Sequence, residues 1–365
     1  MKGLYIHIPF CKTICNYCDF PKKIIFNDEQ VRNYLNHLYE ELNSYKAYYK
    51  DIDTIYIGGG TPNNLNDYYL EELLSFIFKL NINYKEYTIE CNPELITDNQ
   101  ARLFSEYGIN RVSLGVQSFN ERLLKLLGRN HNYTDVINSI NLLHNYNITN
   151  VNIDLMFGIF SQSYDEFLED YNKYLSLKVP HLSYYSLILE PNTRLYLKYK
   201  EDDFNDDEIV KMYNYLIDNS IIDGYKQYEI SNFAKEGYES IHNLKYWNKD
   251  EYIGVGMGAT SYLSHTRSTN SILINNYLKD KDIVKEDLNE LDEKNEYMML
   301  GLRKLAGVSY SDYYNKFKSN IDDDYDLLRL FNLGLLEKDR DNIRLTKKGL
   351  VYGNLVFEEF VWKMI

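Results

Sequence analysis

The chain has 365 residues, 44% of them hydrophobic, and a formal net charge of −14. This length allows one large domain plus a smaller one, and the acidic balance argues against a nucleic-acid partner, because phosphate binding needs a basic surface. No apolar run reaches the length of a membrane span, and no targeting segment is recognisable. We therefore expect a cytoplasmic protein that associates with membranes only through a partner.

Apolar periodicity predicts six strands separated by helices. The predicted strands cover residues 4–8, 53–57, 87–91, 111–116, 150–156 and 181–187, and the predicted helices cover 28–49, 67–80, 97–107, 120–127, 133–146, 164–177 and 207–218. Strands that alternate with helices are typical of a parallel sheet. Six units are too few for a closed eight-fold barrel, so we predict an α/β fold with an open (β/α)6 partial TIM barrel.

The last third of the sequence is less regular. Residues 225–262 look loop-rich, a helical pattern begins near residue 290, and residues 322–362 read as a helix, a short hairpin and a helix, the order of a winged helix. This segment lacks a strong basic surface, so we expect it to pack against the barrel and not on DNA. We predict a core domain at 1–235 and a smaller C-terminal α+β domain at 236–365.

Three of the four cysteines follow the first predicted strand, as Cys11, Cys15 and Cys18 in a C-x3-C-x2-C pattern. Thiolates are natural ligands of iron–sulfur clusters, and three of them leave one iron of a 4Fe-4S cluster without a protein ligand. A structural zinc site normally needs a fourth ligand, and the remaining cysteine, Cys91, lies 73 residues beyond Cys18 in an apolar run. A disulfide fits a cytosolic chain poorly. The pattern favours the open cluster.

Alternation along the third, fourth and fifth strands places three polar residues on one face of the sheet. Glu90, Gln117 and Asp154 end these successive strands, opposite apolar residues. Chemistry in such sheets gathers at the carboxyl ends of the strands, so these side chains could hold a polar ligand. Any one of them could instead cap a strand end.

A glycine turn, GGGTP, follows the second strand at residues 58–62. Gly58, Gly59 and Gly60, with Thr61, allow close backbone approach to a ligand. Glycine-rich loops are common, so the turn by itself is a weak signal.

The cysteine motif, with Tyr17 between its last two cysteines, resembles that of the radical S-adenosylmethionine (radical SAM) enzymes. The resemblance implies that the amino and carboxylate groups of S-adenosylmethionine chelate the unique iron, and that one-electron reduction yields methionine and a 5′-deoxyadenosyl radical. It also implies that the glycine turn holds the amino group of this cofactor.

Three further segments, GVQSF at 115–119, GR at 128–129 and DLMFG at 154–158, are similar to the branch that contains the oxygen-independent coproporphyrinogen III dehydrogenases. The resemblance implies that Glu90, Gln117, Arg129 and Asp154 contact the cofactor and that Tyr5 lies beside the cluster. Core packing for Tyr5 and a surface position for Arg129 are the alternatives.

Two features distinguish subfamilies of this branch. The dehydrogenases carry a further cysteine at the position of Phe20 and a long segment ahead of the motif, whereas ten residues precede Cys11 here. We group Phe20 with the cofactor site. Residues 242–247, HNLKYW, match the HNxxYW motif of the HemW-type haem chaperones, and GVGMGA at 254–259 and NEYMMLG at 295–301 are also similar to that group.

The resemblance to the haem chaperones implies a bound haem. His242 is the candidate iron ligand, with Tyr246 and Trp247 stacking on the porphyrin. A lone histidine is often structural, and His7 and His265 are weaker substitutes.

Two functions follow from these resemblances. The first is a haem chaperone that delivers haem to haem-accepting apoproteins. The second is oxidative decarboxylation of coproporphyrinogen III, and an interaction module with a structural zinc is a third class. A homodimer is possible, and the partners expected are a haem or porphyrin ligand and the acceptor proteins.

Overall fold

The computed structural model describes residues 1–361. Its strands are β1 (Lys2–Ile8), β2 (Phe10–Cys11), β3 (Lys23–Ile24), β4 (Ile52–Gly59), β5 (Glu86–Cys91), β6 (Arg111–Gln117), β7 (Val151–Phe157), β8 (His181–Ser186), β9 (Lys226–Glu229), β10 (Asn232–Ala234), β11 (Tyr252–Val255), β12 (Thr260–Leu263), β13 (Thr266–Thr269), β14 (Val284–Asp287), β15 (Val308–Ser309), β16 (Leu336–Asp339) and β17 (Asn342–Leu345). Most of them belong to one large sheet.

The helices surround that sheet or follow it. They are α1 (Asp28–Ser44), α2 (Asp67–Lys79), α3 (Asp98–Glu106), α4 (Glu121–Leu127), α5 (Tyr133–Asn145), α6 (Tyr164–Leu177), α7 (Asp206–Asn219), α8 (Ile241–Trp247), α9 (Ile274–Tyr277), α10 (Glu290–Gly301), α11 (Tyr310–Phe317), α12 (Ile321–Asp324), α13 (Leu328–Asn332), α14 (Lys347–Val351) and α15 (Gly353–Val361). None of these helices is long and apolar enough to cross a bilayer.

The large sheet has twelve strands in the order β14-β13-β12-β11-β1-β4-β5-β6-β7-β8-β10-β9. The seven strands from β11 to β8 are parallel to their neighbours, and the strands on both flanks run antiparallel. Since β14 and β9 do not pair, the sheet stays open across the described chain. This confirms the predicted α/β partial barrel.

All six predicted strands are present and lie side by side in chain order. The seventh parallel strand, β11, comes from residues 225–262, which the sequence suggested were loop-rich. That expectation was wrong: the stretch forms β9 to β12 and the helix α8. These elements have seven residues or fewer, too few to show a clear apolar period.

The first helix is shorter than predicted. It ends at Ser44, and a 3-10 turn at Lys46–Asp51 follows it. Tyr45, Tyr48 and Tyr49 still pack against the core, so the apolar pattern continues after the backbone has left the α-helical conformation.

The two faces of the parallel sheet have different characters. Apolar residues of β1, β4, β5, β6 and β7 pack outward against the helices in one continuous core. The inner face carries polar side chains, among them Thr54, Thr88, Ser113 and Asn152, which are nearly or fully buried. The helices therefore cover one face and leave the other to line a polar interior.

The predicted domain boundary at residue 235 stays a prediction, and strands β11 to β14 from beyond it extend the same sheet. The segment predicted as a winged helix contains α12, α13, the β16–β17 hairpin and α14 to α15, in the expected order of element types. Residues 362–365, the end of the predicted second domain, lie outside the described residues.

Candidate functional site

A cavity of about 330 Å³ opens at the carboxyl ends of the parallel strands. It brings together most of the residues that the sequence singled out. Those lining it are Cys11, Cys15, Cys18, Phe20, Gly59, Gly60, Thr61, Glu90, Gln117, Arg129 and Asp154. They come from six separate stretches of the chain, as expected for a site at the strand ends of an α/β sheet.

The three motif cysteines lie in a loop that other elements hold in place. Asn16, within the motif, donates from its backbone to Leu127 (2.9 Å) and from its side chain to Leu126 (2.7 Å) at the end of α4. Cys11 is buried, whereas Cys15 and Cys18 are half-buried. The loop is therefore fixed at its centre, and all three of its cysteines line the cavity.

The thiols of all three motif cysteines line the cavity. In the described part of the chain, no three His, Cys, Asp or Glu side chains are close enough together to hold one metal ion. Burial, with a smaller contribution from the neighbouring thiols, raises the pKa of Cys11 to about 11 and also raises the pKa of Cys18. Each ligand must lose its proton on binding metal. Three thiols that line one cavity are the ligand set of an open 4Fe-4S cluster, whereas a structural zinc site normally needs a fourth ligand.

The glycine turn lies directly against the cysteine loop. Gly60 donates its backbone N–H to Ile8 (2.8 Å), and Thr61 donates to Phe10 (3.0 Å). A Cβ atom on Gly60 would lie 2.6 Å from the backbone of Pro9. These amides are therefore occupied by the protein, and close packing against the cysteine loop requires glycine here.

Glu90 is held by two donors from the neighbouring strand. The Tyr56 hydroxyl donates to Oε1 (2.8 Å), and the Gly59 amide donates to Oε2 (3.0 Å). Burial raises the pKa of Glu90 to about 7, and the nearby Asp154 adds to the rise. A buried carboxylate that faces a second one suits a ligand with hydroxyl groups or positive charge.

Asp154 is oriented by its own set of donors. Ser113 donates to Oδ2 (2.8 Å) and Asn152 donates to Oδ1 (2.9 Å). Burial raises the pKa of Asp154 as well. Both partners lie on the inner face of the sheet, where strand alternation places them.

Gln117, the third polar strand end, has a backbone φ of +68°, at a register shift that ends the pairing of β6 with β7. This left-handed conformation is uncommon for a residue other than glycine, and it turns the chain away from the strand. The parity prediction for Glu90, Gln117 and Asp154 is consistent with their shared cavity, and their role as ligand contacts stays a prediction.

Arg129 is buried beside the cysteines. Its Nη1 donates to Asn92 (2.9 Å) and lies 3.7 Å from the sulfur of Cys15, and Nη2 donates to the Gly115 carbonyl. Its Nε is buried and has no hydrogen-bond partner among the described residues. The alternative of a surface charge does not hold, because Arg129 is only 9% exposed.

Tyr5 and Gly58 do not line the cavity but lie just beneath it. The Tyr5 hydroxyl donates to Nδ1 of His7 (3.0 Å), and a Cβ atom on Gly58 would lie 2.9 Å from Glu90. Phe20 lines the mouth of the cavity and is 60% exposed. Tyr5 and Gly58 therefore support the residues that line the site.

The candidate haem residues His242, Tyr246 and Trp247 are not among the described residues that line this cavity. His242 is buried on α8, where Nδ1 bonds to Thr54 Oγ1 (2.9 Å) and Nε2 to the Tyr246 hydroxyl (3.0 Å). Burial, together with the charge of Lys245, lowers the pKa of His242 to about 3. Coordination of iron by His242 would require one of these hydrogen bonds to break, and the assignment stays a prediction.

The two substitute histidines differ from each other. Both ring nitrogens of His7 are occupied, by Tyr5 and by the Pro21 carbonyl (2.8 Å). His265 is exposed, and its Nδ1 lies 3.2 Å from Glu293.

The residues that line or support the site and were missed in the sequence include Tyr56, Asn92 and Tyr185. Tyr56 follows from the alternation of β4, because Thr54, Tyr56 and Gly58 share the inner face. Asn92 directly follows the end of β5, a position that the strand-end rule would have included. Tyr185, on the inner face of β8, also lines the cavity.

Comparisons with known proteins agree with this geometry. Residues 5–173 match the model of the Radical SAM superfamily, and residues 288–352 match that of the HemN C-terminal domain. The solved structure of coproporphyrinogen III oxidase (HemN) from Escherichia coli, described as a radical SAM enzyme, superposes with a TM-score of 0.86 at 21% identity, over 98% of this chain and 89% of that one. This similarity shows a shared fold.

Curated relatives match over nearly their whole length. The heme chaperone HemW of Lactococcus lactis is 40% identical over 99% of this chain and 97% of its own length. HemW of Bacillus subtilis is 36% identical over the full length of both chains. HemW of Escherichia coli is 32% identical over 98% of each chain.

Proposed function

The chain belongs to the HemW family of radical SAM proteins, and from this premise we propose that it is a haem chaperone. In this proposal it carries a 4Fe-4S cluster on Cys11, Cys15 and Cys18, binds S-adenosylmethionine, and binds haem for delivery to haem-dependent proteins. The observation that carries the proposal is the identity of up to 40% with HemW proteins over essentially the whole chain.

The cavity residues fit the two resident groups. Cys11, Cys15 and Cys18 line the same cavity, and three thiolates suit a cubane with one open iron. Arg129, with a buried N–H that lacks a partner, suits the carboxylate of S-adenosylmethionine. Glu90 and Asp154 suit its ribose hydroxyls and its positive charge. A cluster held by these thiols would supply one-electron reduction of the sulfonium cofactor.

The chain itself positions and shields these groups. Tyr56 and Gly59 orient the Glu90 carboxylate, and Ser113 and Asn152 orient that of Asp154. Hydrogen bonds from the glycine turn to Ile8 and Phe10 fix the cysteine loop against the sheet. Preorganised polar groups of this kind lose little conformational freedom when a ligand binds.

Two sequence features favour a chaperone over a coproporphyrinogen dehydrogenase. Phe20 occupies the position of the extra cysteine of the dehydrogenases, and the HNLKYW segment at 242–247 matches HemW proteins. The structural similarity to HemN concerns the fold alone, since the identity is 21%.

Haem titration of the reconstituted protein tests the proposal. After anaerobic reconstitution with iron and sulfide, we expect saturable haem binding with a Soret band at one haem per chain. Transfer of that haem to an apoprotein acceptor should follow. A chain without haem binding at micromolar concentration would contradict the proposal. Sustained conversion of coproporphyrinogen III to protoporphyrinogen with reductant and cofactor would assign it to the dehydrogenases.

The cellular setting follows from the same proposal. We place the protein in the cytoplasm, where haem is passed to acceptor apoproteins, and any contact with a membrane would be made through such an acceptor. A homodimer is compatible with this role, and analytical ultracentrifugation of the reconstituted chain tests it.

A further inference from the structure

The cavity lined by the motif cysteines is called the cluster cavity below. A second cavity, of about 560 Å³, lies beside it. Tyr185 lines both, so the two are neighbours at the end of β8. The walls of the second cavity come from the ends of β7 and β8, from α7, and from residues 350–357 around α14 and α15. Most of its lining side chains are aliphatic or aromatic. We call it the Arg303 cavity, because Arg303 is the charged residue among the described residues that line it.

The guanidinium of Arg303 forms no ion pair with an acidic side chain in the described part of the chain. It forms no ion pair or hydrogen bond there, and its Nε is buried and unpaired. Glu229 is the nearby acidic residue: burial raises its pKa and the Arg303 charge opposes that rise, but no ion pair joins the two side chains. An unpaired guanidinium facing an apolar cavity is costly, and a ligand carboxylate would offset the cost.

Two aromatic rings hold this guanidinium in place. Its central carbon lies 4.5 Å from the ring centroid of Trp247 and 5.8 Å from that of Phe357. Stacking leaves the N–H edge of a guanidinium available to a planar anion. Trp247 is the last residue of the HNLKYW segment, so this segment contacts the guanidinium that lines the Arg303 cavity.

The cavity also suits a large apolar body with access from solvent. Its volume is in the range of small-molecule and cofactor sites. Ile188, Tyr352 and Leu355, which line it, are 67%, 47% and 50% exposed. Such a combination of apolar walls, an open rim and one unpaired positive charge fits an amphipathic acid.

We propose that the Arg303 cavity is the tetrapyrrole site, with a propionate carboxylate paired to Arg303 and the macrocycle against the apolar wall. Trp247 is a positioning residue that orients the guanidinium. This inference rests on the proposed haem-chaperone function, because haem is the amphipathic acid which that function supplies. The site lies next to the cluster cavity and is separate from His242.

Paired ligands and variants of the full reconstituted chain test the site. The ligands are protoporphyrin IX and its dimethyl ester, which lacks free carboxylates, and the variants are Arg303→Met, Arg303→Lys and, as a control, the exposed Arg329→Met. We expect the unmodified chain and R329M to bind the acid at least about tenfold more tightly than the ester. R303M should bind both ligands equally, and R303K should keep part of the preference. Cluster absorbance and thermal midpoint verify that each variant is folded.

Tryptophan fluorescence gives a second measurement, which haem would leave unchanged if Arg303 and Trp247 only stabilised the fold. The chain has two tryptophans, so Trp362→Phe leaves Trp247 as the sole one, and haem in the Arg303 cavity should quench its emission stoichiometrically. Haem binding with no quenching, or an R303M variant that still prefers the acid, would overturn the site while leaving the proposed function standing. Failure of the unmodified chain to bind haem would overturn both, and displacement of haem by equimolar oleate would reassign the cavity to fatty acids.

Discussion

The Tyr56 hydroxyl donates a 2.8 Å hydrogen bond to the Glu90 carboxylate, and the Tyr56 ring also stacks on the ring of His242, with 5.1 Å between the centroids. One side chain thus joins the cluster cavity to the helix that carries the HNLKYW segment. Changes at His242 should therefore affect Glu90 through Tyr56, although the histidine does not line the cavity.

The three motif cysteines should be necessary for the cluster, whereas Cys91 should not. We expect Cys11→Ala, Cys15→Ala and Cys18→Ala each to lose the visible absorbance and acid-labile sulfide of a reconstituted 4Fe-4S cluster, because each removes one of three thiolate ligands. Cys91→Ala is the matched control, since Cys91 is buried in β5. A full cluster in any of the first three variants, or its loss in the control, would contradict the ligand set.

Glu90 should make the stability of the ligand-free protein depend on pH. Burial raises its pKa from 4.5 to about 7, so the folded chain holds this proton more tightly than the unfolded chain. The resulting stabilisation is complete below about pH 4.5 and is lost as the pH rises through about 7.

Glu90→Gln tests this dependence. Between about pH 5 and pH 8 the unfolding free energy of the unmodified chain should fall by about 2 kcal/mol more than that of the variant. Urea unfolding of both chains at each pH gives this difference, in which other titrating groups cancel. Parallel pH profiles of the two chains would show that Glu90 is not the group responsible.

Gly59 should tolerate substitution far less well than other glycines with positive φ. Its φ is +116°, and a Cβ atom would lie 2.6 Å from the buried His7 ring, whereas Gly237 has φ of +83° and nothing within 4 Å. We expect Gly59→Ala to lower the unfolding free energy by about 3 kcal/mol and Gly237→Ala by about 1 kcal/mol. Chemical denaturation measures both, and equal losses would argue against the contact with His7.

His242 should stabilise the fold as a neutral side chain. Burial lowers its pKa from 6.5 to about 3, so its contribution is complete above about pH 6.5 and is lost as the pH falls toward 3. We expect His242→Asn to cost about 2 kcal/mol at neutral pH, because the bonds to Thr54 and Tyr246 are disturbed. The variant should also lose less stability than the unmodified chain on acidification.

The same variant examines the predicted iron ligand. If His242 coordinates the haem iron, the Soret band of the haem-bound His242→Asn variant should differ from that of the unmodified chain. Identical spectra would contradict this assignment. Thr54→Val is a useful control, since it removes the Nδ1 partner of His242 and retains the imidazole.

The sequence by itself determined the order of the six core strands, the cysteine spacing and the inner-face positions of Glu90 and Asp154, whereas a register shift before Gln117 interrupts the alternation there. These features are local. The spacing of apolar residues along a strand indicates which face a side chain lies on, and glycines or cysteines that directly follow a strand lie in the loop at its end. The short strand β11 was missed because four residues are too few to show a clear alternation of apolar and polar side chains.

Only the tertiary structure decided which distant residues meet. The contact between Trp247 and Arg303, the double hydrogen bonding of His242 and the link from Tyr56 to Glu90 each join separate elements. Their distances depend on how the sheet twists and how the later helices pack on it. A periodic pattern fixes the face of a side chain but not its partner across the fold, so the Arg303 cavity became visible only in three dimensions.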